Sequence, residues 1–113
     1  MLIHSGGARW SLWAKVGAVA YAEKANQLAP QRPALMDTLA IALLAENQAT
    51  RALEVQKKAL ELAPDDAPMR LNLARIYLKT GDKAQARVEL EKLAKLGDKF
   101  PDQAEVAALL KSV

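Results

Sequence analysis

Leu28-Ala29-Pro30 and Leu62-Ala63-Pro64 are one phrase written twice, with 34 residues between the two prolines. That interval is a sequence period of helix–turn–helix solenoids, in which each pair of helices buries its apolar face by stacking on the next pair. Other positions keep the step. Ala18, Ala52 and Ala86 are spaced alike, as are Leu28, Leu62 and Leu96, and Ala40, Ala74 and Ala108 carry the register toward Val113. Repeats of this kind bind other molecules through extended surfaces and rarely perform chemistry.

Composition agrees with that reading. The 113 residues leave room for one domain of about three helical pairs. Half of them are apolar, mostly Ala and Leu, and aromatic residues are few, so the intrinsic preference is helical throughout and no strands are expected. Sixteen basic and thirteen acidic residues give a net charge of +3, but the signs alternate along helix faces, the pattern of a solvated surface. With no cysteine there is neither a disulfide framework nor a thiolate metal site. The longest apolar run, Leu39 to Ala45, is too short to span a bilayer. The opening Met1-Leu2-Ile3-His4-Ser5-Gly6-Gly7 lacks the basic start and apolar core of a secretory signal. The expected compartment is cytoplasmic by default, and periplasmic for a fragment of an exported lipoprotein.

The repeat fades upstream of Ala18. Stepping back one period from Leu39, Ala40 and Leu43 lands on Ser5, Gly6 and Arg9, none suited to a packed helix. The expected division is an irregular or partly helical segment over 1–17 and a repeat domain over 18–113. Residues 9–29 form either one longer helix carrying Trp10 and Trp13 or a broken pair.

Downstream, Pro33 suits a first helical turn, and Leu35, Met36, Leu39, Ile41, Leu43 and Leu44 predict a helix over 33–46, interrupted at Glu46-Asn47-Gln48. Ala52, Leu53, Val55, Ala59, Leu60 and Leu62 predict a second over 50–63, with Glu54 and Lys58 paired on its outer face. Pro64 ends it, and Asp65-Asp66 offers a cap to the next. Met69, Leu71, Leu73, Ile76, Tyr77 and Leu78 mark a helix over 67–80, closed by the left-handed turn that Gly81-Asp82 favours. Its partner runs over 83–96 through Ala86, Val88, Leu90 and Leu93. After Gly97-Asp98, a last helix opens at Pro101-Asp102 and acts as a cap.

These residues resemble the tetratricopeptide repeat, whose paired helices keep small residues where they cross and a proline at the junction. Leu39-Ala40, Leu43, Ala52, Ala59 and Pro64 fit one unit. Leu73-Ala74, Tyr77, Gly81, Ala86 and Leu93 fit the next, with Leu93 standing for an alanine and Asp98 for the proline. The resemblance spans roughly 18–113. It implies an all-α, right-handed α-solenoid of about two and a half repeats plus a C-terminal capping helix. A narrower likeness, carried by Ala-Tyr-Ala-Glu-Lys-Ala over 20–25, Gly-Asp-Lys-Ala-Gln-Ala-Arg over 81–87 and Lys-Phe-Pro-Asp-Gln-Ala-Glu over 99–105, is to the C-terminal end of bacterial lipoproteins of exopolysaccharide and PEP-CTERM systems. Those carry their lipid on an upstream cysteine that is absent from this sequence.

Binding on such a scaffold is expected on the concave face, lined by the first helix of each pair. Helical spacing puts Asp37, Ile41, Leu44 and Ala45 on one face, and one period later Leu71, Arg75, Leu78 and Lys79. Glu105 and Leu109 extend it, and Asn72 stands beside it. The candidate groove is therefore Asp37, Ile41, Leu71, Asn72, Arg75, Lys79 and Glu105, with Leu44 and Leu78 assigned to packing. Its mixture of apolar and oppositely charged groups suits an extended peptide or an amphipathic helix. The Lys, Asn and Arg set with which some family members grip a chaperone carboxylate is not reproduced, since Asp37 and Leu71 occupy two of its places.

Other classes fare worse. His4 is the single histidine, so no nucleophile–base pair and no metal site is expected, and no cofactor. Asp65-Asp66 is explained by capping. Gly6-Gly7 lacks the setting of a phosphate loop. Lys57, Lys58, Lys83, Arg87, Lys92 and Lys95 are interleaved with Glu54, Glu61, Glu89 and Glu91, leaving no clean track for nucleic acid. The stronger rival is self-association, a homodimer through Val19, Tyr21, Ala22 and Leu28 of the N-terminal helix.

Overall fold

The computed structural model describes residues 17–113. Six helices follow one another, with no strand among the described residues: α1 over 17–28, α2 over Pro33–Ala45, α3 over Ala49–Leu62, α4 over Ala67–Thr80, α5 over Lys83–Ala94 and, after a 3₁₀ turn at Gly97–Lys99, α6 over Gln103–Leu110. Each of α2 to α5 packs on the next, α5 packs on α6, and α2 also meets α4. This is the order of a helical repeat, in which first helices lie beside first helices. The expected readings of 1–16, including His4, Gly6-Gly7, Trp10 and Trp13, lie outside the described residues.

Local chemistry explains the boundaries. Pro33 opens α2 after an extended Arg32, the conformation a following proline imposes. Pro68 lies in the first turn of α4, where the Asp66 carboxylate accepts a hydrogen bond from the Met69 N–H at 3.1 Å. Helices α2 and α4 end alike. The Gln48 N–H donates to the Leu43 carbonyl at 2.8 Å, and the Asp82 N–H to the Tyr77 carbonyl at 2.9 Å, each closing a Schellman turn over a left-handed residue. That residue is Asn47 at φ +62° in one turn and Gly81 at φ +87° in the other, one period apart. Helix α5 stops at Ala94, two residues short of expectation, and α6 starts at Gln103. The Gln103 amide bonds the Leu93 and Gly97 carbonyls at 2.7 and 3.1 Å, so it secures the end of α5 from the start of α6.

Fully buried alanines sit where the helices cross: Ala40 and Ala74 in the first helices, Ala52, Ala59 and Ala86 in the second. Around them lie three contiguous apolar clusters. Val19 and Ala22 of α1 join Leu39, Ala42, Leu43 and Ile76; Leu60, Met69, Leu73 and Tyr77 form the middle; Leu71, Leu90, Leu93, Phe100 and Val106 close the α6 end. Two expectations are corrected. Val88 and Leu62, which stand in the apolar patterns that predict α5 and α3, are 44% and 48% exposed, because α5 and α3 bury only the stripes through Ala86, Leu90 and Leu93 and through Ala52, Ala59 and Leu60. Of the four α1 residues expected at a self-association face, Val19 and Ala22 are buried in the cluster with α2 and α3, and Tyr21 and Leu28 are exposed.

The matched turns yield a test. No atom lies within 4 Å of a Cβ placed on Gly81, so Gly81→Ala meets only the backbone cost of a left-handed alanine. It is expected to lose about 1 kcal/mol in urea unfolding, and Gly81→Asn is expected to lose less than half of that, because Asn47 already holds this conformation.

Candidate partner-binding groove

A chain of polar contacts runs across three successive first helices. Asp37 on α2 accepts at Oδ1 from the Gln56 Nε2 at 2.7 Å and from the Asn72 Nδ2 at 3.1 Å. Asn72 on α4 accepts at Oδ1 from the Arg75 Nη1 at 2.7 Å. The Arg75 guanidinium in turn donates to Glu105 of α6, through Nε at 3.0 Å and through Nη2. Asp37 and Asn72 are short side chains, so the bond between them requires α2 and α4 to run close together.

Four of the seven predicted groove residues, Asp37, Asn72, Arg75 and Glu105, thus meet in one ladder. Ile41 stands one turn beyond Asp37 and is 46% exposed, and Lys79 is exposed one turn beyond Arg75. Leu71 does not line the groove. It is 3% exposed and packs among Leu90, Leu93, Phe100 and Val106, because α6 lies over that side of α4. Leu44 and Leu78 are partly buried against the apolar clusters, in keeping with a packing role.

The residue beneath the ladder carries no periodic signal in the sequence. Gln56 lies on second helix α3, within its apolar stripe, yet its side chain is wholly buried. Its Nε2 bridges Asp37 and the Met69 carbonyl at 2.9 Å, tying α2, α3 and the start of α4 together, while its Oε1 has no partner among the described residues. Burial of an amide is tolerated only where such partners exist, and nothing in the spacing announces them. Glu89 was read as part of a solvated charge pattern, but it is 7% exposed and pairs with Arg70, which also donates to the Pro64 carbonyl at 2.9 Å. The expected Glu54–Lys58 pair does not form; both are exposed, where an ion pair gains little over hydration.

Electrostatically the groove is balanced. Asp37 is held by two neutral amides, and Arg75 and Glu105 neutralise each other while both remain about two-fifths exposed. Lys79 forms no ion pair among the described residues. The arrangement offers an apolar contact at Ile41, amide and carboxylate edges below it and one free cation above.

The family model described as Tetratricopeptide repeat matches residues 43–113, from the end of α2 through α6. The chain belongs to the tetratricopeptide repeat family. No curated protein matches it at a significant level. The tetratricopeptide units here are α2 with α3 and α4 with α5, flanked by α1 as a second helix and α6 as a first helix. Among the described residues no helix is long and apolar enough to cross a membrane.

The ladder separates buried from exposed contributions. Gln56→Ala removes donors from Asp37 and the Met69 carbonyl and leaves a void, and it is expected to lower stability by about 2–3 kcal/mol. Glu105→Gln breaks a half-exposed pair and is expected to cost less than about 1 kcal/mol. Urea unfolding of the two variants beside the native chain makes the comparison.

Proposed function

We propose that the chain is a non-catalytic protein-interaction scaffold that takes a peptide or a helix along its concave groove. The carrying observation is the fixed polar ladder from Asp37 to Glu105 with Ile41 exposed beside it. Side chains already held in place lose little freedom on binding, and an exposed branched apolar residue on a rigid face supplies an anchor. A protein partner fits better than nucleic acid, because Arg75 is occupied by Glu105 and Asp37 would repel a phosphate backbone. The narrower likeness to exported lipoproteins rests on short stretches of sequence alone and plays no part in this reading.

The groove is tested by photo-crosslinking from the intact chain. Benzoylphenylalanine in place of Ile41 is expected to trap a discrete protein adduct from a cell extract, and the same group in place of Gln85, exposed on α5, is expected not to trap it. Equal adducts from both positions, or none from position 41, contradict the groove reading.

A second reading, self-association, rests on one observation: Tyr21 and Leu28 of α1 are 80% and 78% exposed and border a surface depression of about 380 Å³ with Lys24 and Ala25. On that reading sedimentation velocity shows a mass rising with concentration for the native chain, and a constant monomer for Tyr21→Ser, Leu28→Ser. A concentration-independent native monomer contradicts it.

A further inference from the structure

The two ends of the described solenoid are opposite halves of one unit. Helix α1 stands one period before α3, so it holds the place of a second helix, and α6 stands one period after α4, the place of a first helix. In the complete units the two halves pack on each other, α2 on α3 and α4 on α5. Burial at equivalent positions shows what α1 and α6 lack among the described residues. Ala52 and Ala86 are wholly buried, and their counterpart Ala18 is exposed; Ala59 and Leu93 are wholly buried, and Ala25 is half-buried. Tyr21 is 80% exposed, where Val55 is packed on the core and Glu89 is buried. On α6, Ala108 is exposed where Ala40 and Ala74 are wholly buried, and Ala107 is exposed where Leu39 and Leu73 are buried.

Helix α1 is nonetheless fixed in its place. The Asn26 amide donates to the Leu35 carbonyl of α2 at 3.1 Å, Glu23 pairs with Arg51 of α3, and Tyr21, Ala25 and Leu28 border the 380 Å³ depression on the open side. The two bare faces are complementary in bulk. Where α3 has Val55, α1 has the larger Tyr21, and where α2 and α4 have Leu39 and Leu73, α6 has Ala107. A close-packed contact conserves volume, so a large side chain on one helix calls for a small one opposite. Lys111 replaces Leu43 and Tyr77 at the far end of the α6 face, where an alkyl stem covers apolar surface while its ammonium stays in water. One period before Leu39 and Ala40 the sequence holds Ser5 and Gly6, without the alanine that α6 carries as Ala108.

We propose, on the self-association reading above, that α6 of one copy packs on α1 of a second copy as the first helix of a composite tetratricopeptide unit, joining copies end to end in the register of the repeat. The contact continues the one already made by α2 with α3 and by α4 with α5. It is heterologous, because α1 and α6 are different surfaces, so every added copy brings another open α6 and the assembly grows beyond a dimer. A pairing of α1 with α1 stops at two copies. In the end-to-end arrangement α2 of the second copy follows α6 of the first as α4 follows α2, and the concave groove runs on from copy to copy.

Sedimentation velocity of the intact chain tests this with one variant at each end, Tyr21→Arg on α1 and Ala108→Arg on α6, both at exposed positions. The native mass is expected to rise with concentration past that of a dimer. Each variant alone is expected to associate about tenfold or more weakly, while an equal mixture of the two forms a dimer and nothing larger, because one open α1 and one open α6 remain to meet. Tyr21→Ser and Ala107→Arg replace them if circular dichroism shows a loss of helix. A native dimer that grows no further, with Ala108→Arg dimerising like the native chain, overturns the end-to-end contact and leaves self-association through α1 standing. Variants that do not combine when mixed also overturn it, and a native monomer at every concentration overturns both readings.

Discussion

Everything in this structure depends on how closely neighbouring helices approach, and that distance is set by alanine. Ala40, Ala52, Ala59, Ala74 and Ala86 have no exposed surface, and each lies in an apolar cluster that joins different helices. A larger side chain at any of them would push two helices apart, since a close-packed interior has no spare volume. The 34-residue period is thus the sequence form of a distance requirement: a small residue must return each time a helix returns to the same crossing. The apolar clusters fill the space that the crossings define.

A fixed line of polar contacts runs across α2, α4 and α6. Asp37 and Asn72 bond at 3.1 Å across α2 and α4, and the longer Arg75 then reaches Glu105 on α6 at 3.0 Å. Gln56 anchors this line from behind at 2.7 Å. The polar side chains of this line are held by bonds that join α2, α3, α4 and α6.

Much of the fold is legible in the sequence because its signals are local. Pro33, Asp66 and Gly81 each dictate a backbone conformation or a hydrogen bond within a few residues, and α2, α3 and α4 begin and end within one residue of expectation. Asn47 is the instructive case, a left-handed turn residue standing where the next unit has glycine. The groove is legible in part. The helical step finds Asp37, Arg75 and Glu105, because residues one turn apart share a face. It misplaces Leu71, whose burial depends on where α6 settles, and misses Gln56 and Glu89, whose burial depends on partners remote in sequence. Periodicity also fails to separate two kinds of recurring residue. Ala52 and Ala86 recur because the helices must touch there, whereas Leu62 and Leu96 recur in the same register and face solvent.

The most direct test of this account is the exchange of the Gln56 side-chain amide protons, followed by NMR in the native chain. Bonds to Asp37 and the Met69 carbonyl, in a site without solvent exposure, predict protons protected far beyond those of exposed side-chain amides such as Gln85, with nuclear Overhauser contacts to residues 37 and 69. Exchange at the rate of Gln85, or the absence of those contacts, would show that α2, α3 and α4 are not joined as described and would remove the ladder on which the groove rests.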